Sequence, residues 1–124
     1  MSDLWPTELR VSKDRQRLLV TFNDGASFDL SAEMLRVLSP SAEVQGHGPG
    51  QKLTVPGKRN VAIISMTPTG NYAVRIGFDD FHDTGIFTWS YLRELGEKGA
   101  DLFAGYERDL AEKGMSRDMS EKPR

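Results

Sequence analysis

A chain of 124 residues with a formal net charge of −2 and no cysteine suits one domain with an apolar core of its own. Without cysteine it forms no disulfide, holds no thiolate-ligated zinc or iron–sulfur cluster and has no thiol nucleophile, a composition that fits a reducing, cytoplasmic setting. Charges of both signs are interspersed, so the basic stripe of a nucleic-acid binder is missing; no apolar run approaches the ~20 residues that span a bilayer, and Met1–Pro6 lacks the pattern of a signal peptide.

In chain order, Glu8–Val11 alternates polar and apolar residues and reads as a short strand. Arg17–Phe22 follows, with Leu18, Val20 and Phe22 on one face, and Asn23-Asp24-Gly25 signals a hairpin that returns through Ala26–Leu30. Ser31 can cap a short helix from Ala32 to about Leu38, with Met34, Leu35 and Leu38 inward and Pro40 ending it. The segment from Ser39 to Asn60 is the least regular, with a glycine-rich stretch at Gly46–Gly50 and a short strand expected at Lys52–Val55. Gly57-Lys58-Arg59-Asn60 reads as a solvated turn.

Val61–Met66 has the composition of a buried strand, Pro68–Asn71 turns the chain, and Tyr72–Phe78 alternates with Tyr72, Val74, Ile76 and Phe78 on one face. An acidic turn leads to a last short strand, Gly85–Thr88. Thr88 or Ser90 can cap a helix carrying Tyr91, Leu92 and Leu95, which Gly96 and Gly99 weaken or end. A second helix is expected from about Ala100 to Lys113, because Leu102, Phe103, Tyr106 and Leu110 share a face. Residues 114–124 are expected to be a disordered tail. The fold class that results is α+β: a two-layer domain with a mostly antiparallel sheet of about six strands, a short mid-chain helix and two C-terminal helices.

Three constellations could carry chemistry. Asp79, Asp80, His82 and Asp83 offer nitrogen and oxygen ligands within five residues, with His47 as a distant second histidine. The competing reading has the aspartates making turn hydrogen bonds and His82 packed under the last strand. The Gly46–Gly50 stretch lacks a Walker or dinucleotide pattern, and Pro49 removes a backbone donor. No G-x-S-x-G elbow surrounds a serine, and nothing local pairs a serine with His47 or His82. Trp5, Phe81, Phe87 and Trp89 lie at the ends of expected elements, where any that stay exposed would mark an interface.

The order of motifs carries a family resemblance. Trp5–Val11, Phe22–Gly25, Leu30–Val37, Ser39–Gly50, Gly57–Val61, Gly70–Ile76 and Phe81–Leu92 together resemble the gamma-butyrobetaine hydroxylase-like N-terminal domain, in its small stand-alone bacterial form. The resemblance implies a domain over residues 4–113. In the long hydroxylases it implies an accessory unit that precedes the catalytic 2-oxoglutarate oxygenase domain and carries a structural zinc on three cysteines and a histidine. The cysteine positions fall here on Ser39, Ser41 and Val44, and the histidine on His82. Hydroxyls are poor zinc ligands and valine is none, so the resemblance implies a zinc site that has been lost.

The resulting expectation is a non-catalytic, cytoplasmic interaction module with an unidentified protein partner. No cofactor is expected, zinc included, and no nucleic acid or membrane; the oligomeric state stays open. The alternatives are a small metal-binding protein using His82 with Asp79, Asp80 or Asp83, with or without His47, and an accessory factor in iron–sulfur assembly, suggested by related domains fused to iron–sulfur carrier ATPases.

Overall fold

The computed structural model describes residues 4–46 and 53–118. The alternating segments near the N-terminus form a three-stranded antiparallel meander of β1 (Pro6–Val11), β2 (Arg17–Phe22) and β3 (Ser27–Ser31), with β2 in the middle. Leu18, Val20 and Phe22 all point inward, and Leu18 faces Val11 on one side and Leu30 on the other. At the hairpin, Gly25 has φ +93°, which suits glycine, and Ala26 N–H donates to Asp24 Oδ1.

Ser31 caps helix α1 (Ala32–Val37): its side chain accepts from the Met34 amide at 3.0 Å. The chain then makes one short helical turn, α2 (Ala42–Gln45), capped by Ser41. That turn lies inside the segment read from sequence as irregular. Leu53–Val55 forms no strand, against expectation, and Lys52 lies outside the described residues. Leu53 is tied instead through its amide to the Val44 carbonyl, and the Val55 carbonyl accepts from the Tyr106 hydroxyl.

A second antiparallel sheet follows, made of β4 (Ile63–Thr69), β5 (Ala73–Phe78) and β6 (Gly85–Thr88) with β5 central. The six strands thus divide between two sheets that share one apolar core. Pro68 sits inside β4 rather than in the turn, a position open to proline because β4 is an edge strand. Tyr72, expected on the buried face of β5, precedes that strand and is 54% exposed.

The largest departure from the sequence reading is at the C-terminus. One continuous helix, α3 (Trp89–Glu112), replaces the two expected, capped by the Thr88 hydroxyl on the Tyr91 amide. Gly96 and Gly99 do not end it. A Cβ on Gly96 would stand 2.5 Å from the Phe28 ring, and one on Gly99 would stand 3.0 Å from Met34 Sδ. The glycines let the helix lie close on β3 and α1, so packing outweighs their helix penalty of about 1 kcal/mol each. Leu92, Leu95, Tyr106 and Leu110 form its buried stripe.

The expected disordered tail also needs correction. After Gly114 the chain turns back, and Ser116 and Arg117 carbonyls accept from the Gly57 and Arg59 amides, both at 2.9 Å. Arg117 grips the buried Glu33 carboxylate through two 2.7 Å bonds and lies over the Phe103 ring. Residues 115–118 are therefore a strap bound to the fold, while residues 119–124 lie outside the described region.

Candidate functional site: a buried hydrogen-bond clamp

The acidic segment leaves β5 at Phe78 and folds into a tight turn. Phe81 N–H donates to the Phe78 carbonyl at 3.0 Å, and Phe78 N–H donates to the His82 carbonyl at 2.9 Å. This closure places Phe81 at φ +73°, the left-handed region that bulky residues avoid, and leaves its side chain 90% exposed. Two aspartates hold the turn from below. Asp79 accepts from the Ala62 amide at 3.1 Å, and Asp80 accepts from the His82 amide at 3.1 Å.

Asp80 is also the meeting point of two cations, with Arg36 Nε at 2.7 Å and Lys58 Nζ at 2.6 Å. Burial pushes its carboxyl up, but the hydrogen bonds from Lys58, the His82 amide and Arg36 outweigh burial and hold it below the ordinary aspartate range. Arg36 Nη1 is buried with no partner among the described residues.

The turn drives His82 into the protein, where it is 6% exposed. Its Nδ1 lies 2.9 Å from Glu43 Oε1 and its Nε2 lies 3.0 Å from Ser39 Oγ. Burial, reinforced by the nearby Arg36 charge, keeps the imidazole below its ordinary pKa despite the opposing pull of Glu43 and Asp80. A neutral imidazole has one donor and one acceptor, and a carboxylate only accepts. Nδ1 therefore carries the proton toward Glu43, and Nε2 accepts the Ser39 hydroxyl proton.

Further hydrogen bonds surround this relay. Ser39 Oγ accepts from the Ser41 amide at 3.3 Å, the Ser39 carbonyl accepts from Gln45 Nε2 at 2.8 Å, and Thr84 Oγ1 donates to Glu43 Oε1 at 3.2 Å. Ser41 Oγ in turn caps α2 through the Glu43 amide at 3.0 Å. Gly85 closes the far side, since a Cβ there would stand 2.4 Å from Ser39 Oγ. Tyr91, from the first turn of α3, donates its hydroxyl to the Leu38 carbonyl just before the relay.

The order Ser39–His82–Glu43 has the tautomer and the connectivity of a serine–histidine–acid triad. Ser39 is 0% exposed, however, and Gly85 sits against its oxygen, so no substrate carbonyl can reach it in this conformation. The arrangement works as a clamp: it ties α2 and the loop before it to the turn between β5 and β6.

A metal does not fit these side chains. Of the positions the resemblance singled out, Ser39, Ser41 and His82 are joined by hydrogen bonds, and Val44 is buried and linked to Ser41 only through its backbone. Two hydroxyls, a valine and a histidine with both nitrogens engaged are no zinc donor set. Asp79 and Asp80 spend carboxylate oxygens on a backbone amide and two cations, and Asp83 is exposed. Among the described residues no group of three or more His, Asp or Glu is placed to hold an ion; His47 lies outside them.

The aromatic candidates separate. Phe87 is 0% exposed and belongs to the core, so it cannot be an interface residue. Trp5 and Trp89 line a surface groove with Leu4, Pro6, Asn71, Tyr72 and Ser90, and the Trp89 indole donates to the Asn71 carbonyl. Phe81 alone of the four stands clear of the surface. Sequence reasoning missed Glu43, Arg36, Lys58 and Thr84, which complete the site; the one available signal was Glu43 two residues after the helix-capping Ser41.

Fold and site together define a small α+β domain in which a polar relay through a neutral imidazole pins a strained, aromatic-tipped turn. The sequence profile described as gamma-butyrobetaine hydroxylase-like, N-terminal, matches residues 9–93, and the chain belongs to that family. It is similar to two proteins solved in solution by NMR, at 44% and 41% identity. The first match covers 94% of this chain and 92% of the other at a TM-score of 0.79; the second covers 99% and 95% at 0.80. It is also similar to a crystal structure from Acidithiobacillus ferrooxidans titled as a protein of unknown function of the DUF971 family, at 38% identity, 73% and 91% coverage and a TM-score of 0.61. No curated protein matches. Among the described residues no helix is long and apolar enough to cross a membrane.

Proposed function

We propose that the chain is a non-catalytic interaction module whose contact surface is centred on the turn between β5 and β6, working in the cytoplasm without zinc. Phe81 carries this reading. A left-handed phenylalanine costs roughly 1–2 kcal/mol, and leaving its ring in water forfeits about 2 kcal/mol of burial; the turn's hydrogen bonds hold the backbone, but the ring, 90% exposed, gains no packing in return. The turn beneath is rigid, because Asp80 and His82 are each held by two or more bonds. A ring presented in advance on a rigid turn is the form of an interface anchor, since little ordering remains for the moment of binding.

In this reading the Ser39–His82–Glu43 relay does the mechanical work that the zinc does in the long hydroxylases. It joins the Ser39 loop to the strand–helix segment, so one surface is built from both. A metal-binding role for His82 would require giving up one of its two hydrogen bonds, to Ser39 or to Glu43.

The test pairs stability with contact. Phe81→Gly should raise unfolding stability by about 1 kcal/mol, by relieving the left-handed strain, and should abolish association with the partner in native co-purification. Reproducible turnover by the isolated wild-type chain, lost in His82→Ala, overturns the proposal. So does stoichiometric metal in untagged protein by elemental analysis.

A further inference from the structure

The charges around Phe81 select among partners. Arg36 and Lys58 are both spent on Asp80. Asp79 and Asp83, which flank Phe81 in sequence, are exposed and have no lysine or arginine partner among the described residues. Glu43, beside them through its bond to His82 Nδ1, has a side chain 65% exposed and, among the described residues, pairs only with that neutral imidazole and the Thr84 hydroxyl. An exposed ring thus stands beside three carboxylates that pair with no lysine or arginine among the described residues.

Resting on the interaction reading above, we infer that the partner of this turn is a protein face with an apolar pocket for the Phe81 ring and a rim of lysine or arginine. The ring supplies the contact, and the carboxylates choose what may approach it. Phosphate-rich partners meet like charge here, so the field opposes RNA, DNA and an anionic lipid surface. A second copy of this chain docked on the same turn would place Asp79, Asp83 and Glu43 against their own equivalents, because a two-fold interface brings a patch onto itself. A basic rim satisfies all three carboxylates without moving Asp80 or the clamp.

Photo-crosslinking in the source cells tests this with the full chain. A benzoylphenylalanine replaces Phe81, and the same group at the exposed Ile64 serves as control. The adduct alone does not decide partner chemistry. The inference requires that the crosslinked peptide be rich in lysine or arginine. It also requires that Asp79→Asn with Asp83→Asn lower adduct yield about tenfold, and that raising salt from ~0.05 to ~0.5 M before irradiation do the same. Asp79→Asn keeps an acceptor for the Ala62 amide, so the turn survives it. An adduct indifferent to charge and salt overturns the basic-partner inference and leaves the interaction reading standing. An adduct with a second copy of this chain overturns the partner class. No adduct at position 81 above the Ile64 control overturns both.

Discussion

Two buried polar junctions tie irregular chain to the core, and they are built on opposite principles. At one, Ser39, His82 and Glu43 form a relay whose central imidazole is neutral. At the other, Glu33, with a side chain only 6% exposed, meets Arg117 of the C-terminal strap through a bidentate ion pair. Breaking the relay at its neutral imidazole leaves unsatisfied dipoles, while the Glu43 carboxylate keeps its access to water. Breaking the ion pair from the arginine side leaves a buried carboxylate with no counter-charge, a larger loss even though the intact pair is itself close to energetically neutral. The strap is thus held by the penalty for leaving, and the clamp by the completeness of its hydrogen bonding.

The sharpest break in this comparison is Arg117→Ala. It should cost about 3 kcal/mol in urea unfolding, and Arg117→Met with Glu33→Met should recover most of it. If the double variant is no better than the single, the strap is held by contacts other than the ion pair.

A second test lies between the junctions. Helix α3 reaches the clamp through Tyr91 and the strap through Phe103, with Gly96 between. Gly96→Ala should destabilise by roughly 2 kcal/mol, although alanine is the better helix former, because the added methyl meets the Phe28 ring. Stabilisation by that variant would show that the close approach is not required.

Ser39→Ala should cost about 1–1.5 kcal/mol, since it strands His82 Nε2 as a buried acceptor and removes the acceptor of the Ser41 amide. The expected signature is a shift of the His82 ring resonances with the Arg117–Glu33 contacts unchanged.

The smallest effect is in pH. The folded pKa of His82 lies below its unfolded value of about 6.5, so the unfolded chain takes up the proton first. The stability from the neutral ring is complete above that value and is lost as pH falls through and below it. Asp80, also depressed, holds its contribution until pH falls below the ordinary aspartate range. Urea unfolding should therefore show lower stability at about pH 5.5 than at about pH 7.5, and His82→Gln should remove the difference. A stability that rises on acidification would reverse the sign assigned to His82.

Much of the fold follows from short-range chemistry. Asn23-Asp24-Gly25 turns the β2–β3 hairpin, Ser31 caps α1, Thr88 caps α3, and the alternation of Leu18, Val20 and Phe22 faces the core. Each of these is decided by φ preference, a local acceptor or a period of two. The misreadings share one cause. Gly96 and Gly99 looked like helix ends because their local preference is unfavourable, and only contact with Phe28 and Met34 reverses that. The segment after Gly114 looked free because its partners, Glu33, Gly57 and Arg59, are remote in sequence.

The candidate site divides in the same way. The family motifs directed attention to Ser39, Ser41, Val44 and His82, and the missing thiols already argued against zinc. They did not reveal what joins the two segments. Ser39 and His82 are separated by 43 positions, and Glu43 is selected as the third member only because α2 turns it back toward the imidazole. By itself the sequence determined the class of domain, the β2–β3 hairpin, the caps at Ser31 and Thr88, and the absence of thiolate ligands, all of which rest on residue type and near neighbours. The tertiary structure decided the neutral relay at His82, the outward Phe81 and the strap on Glu33, because burial and distant partners set the protonation and exposure of those groups.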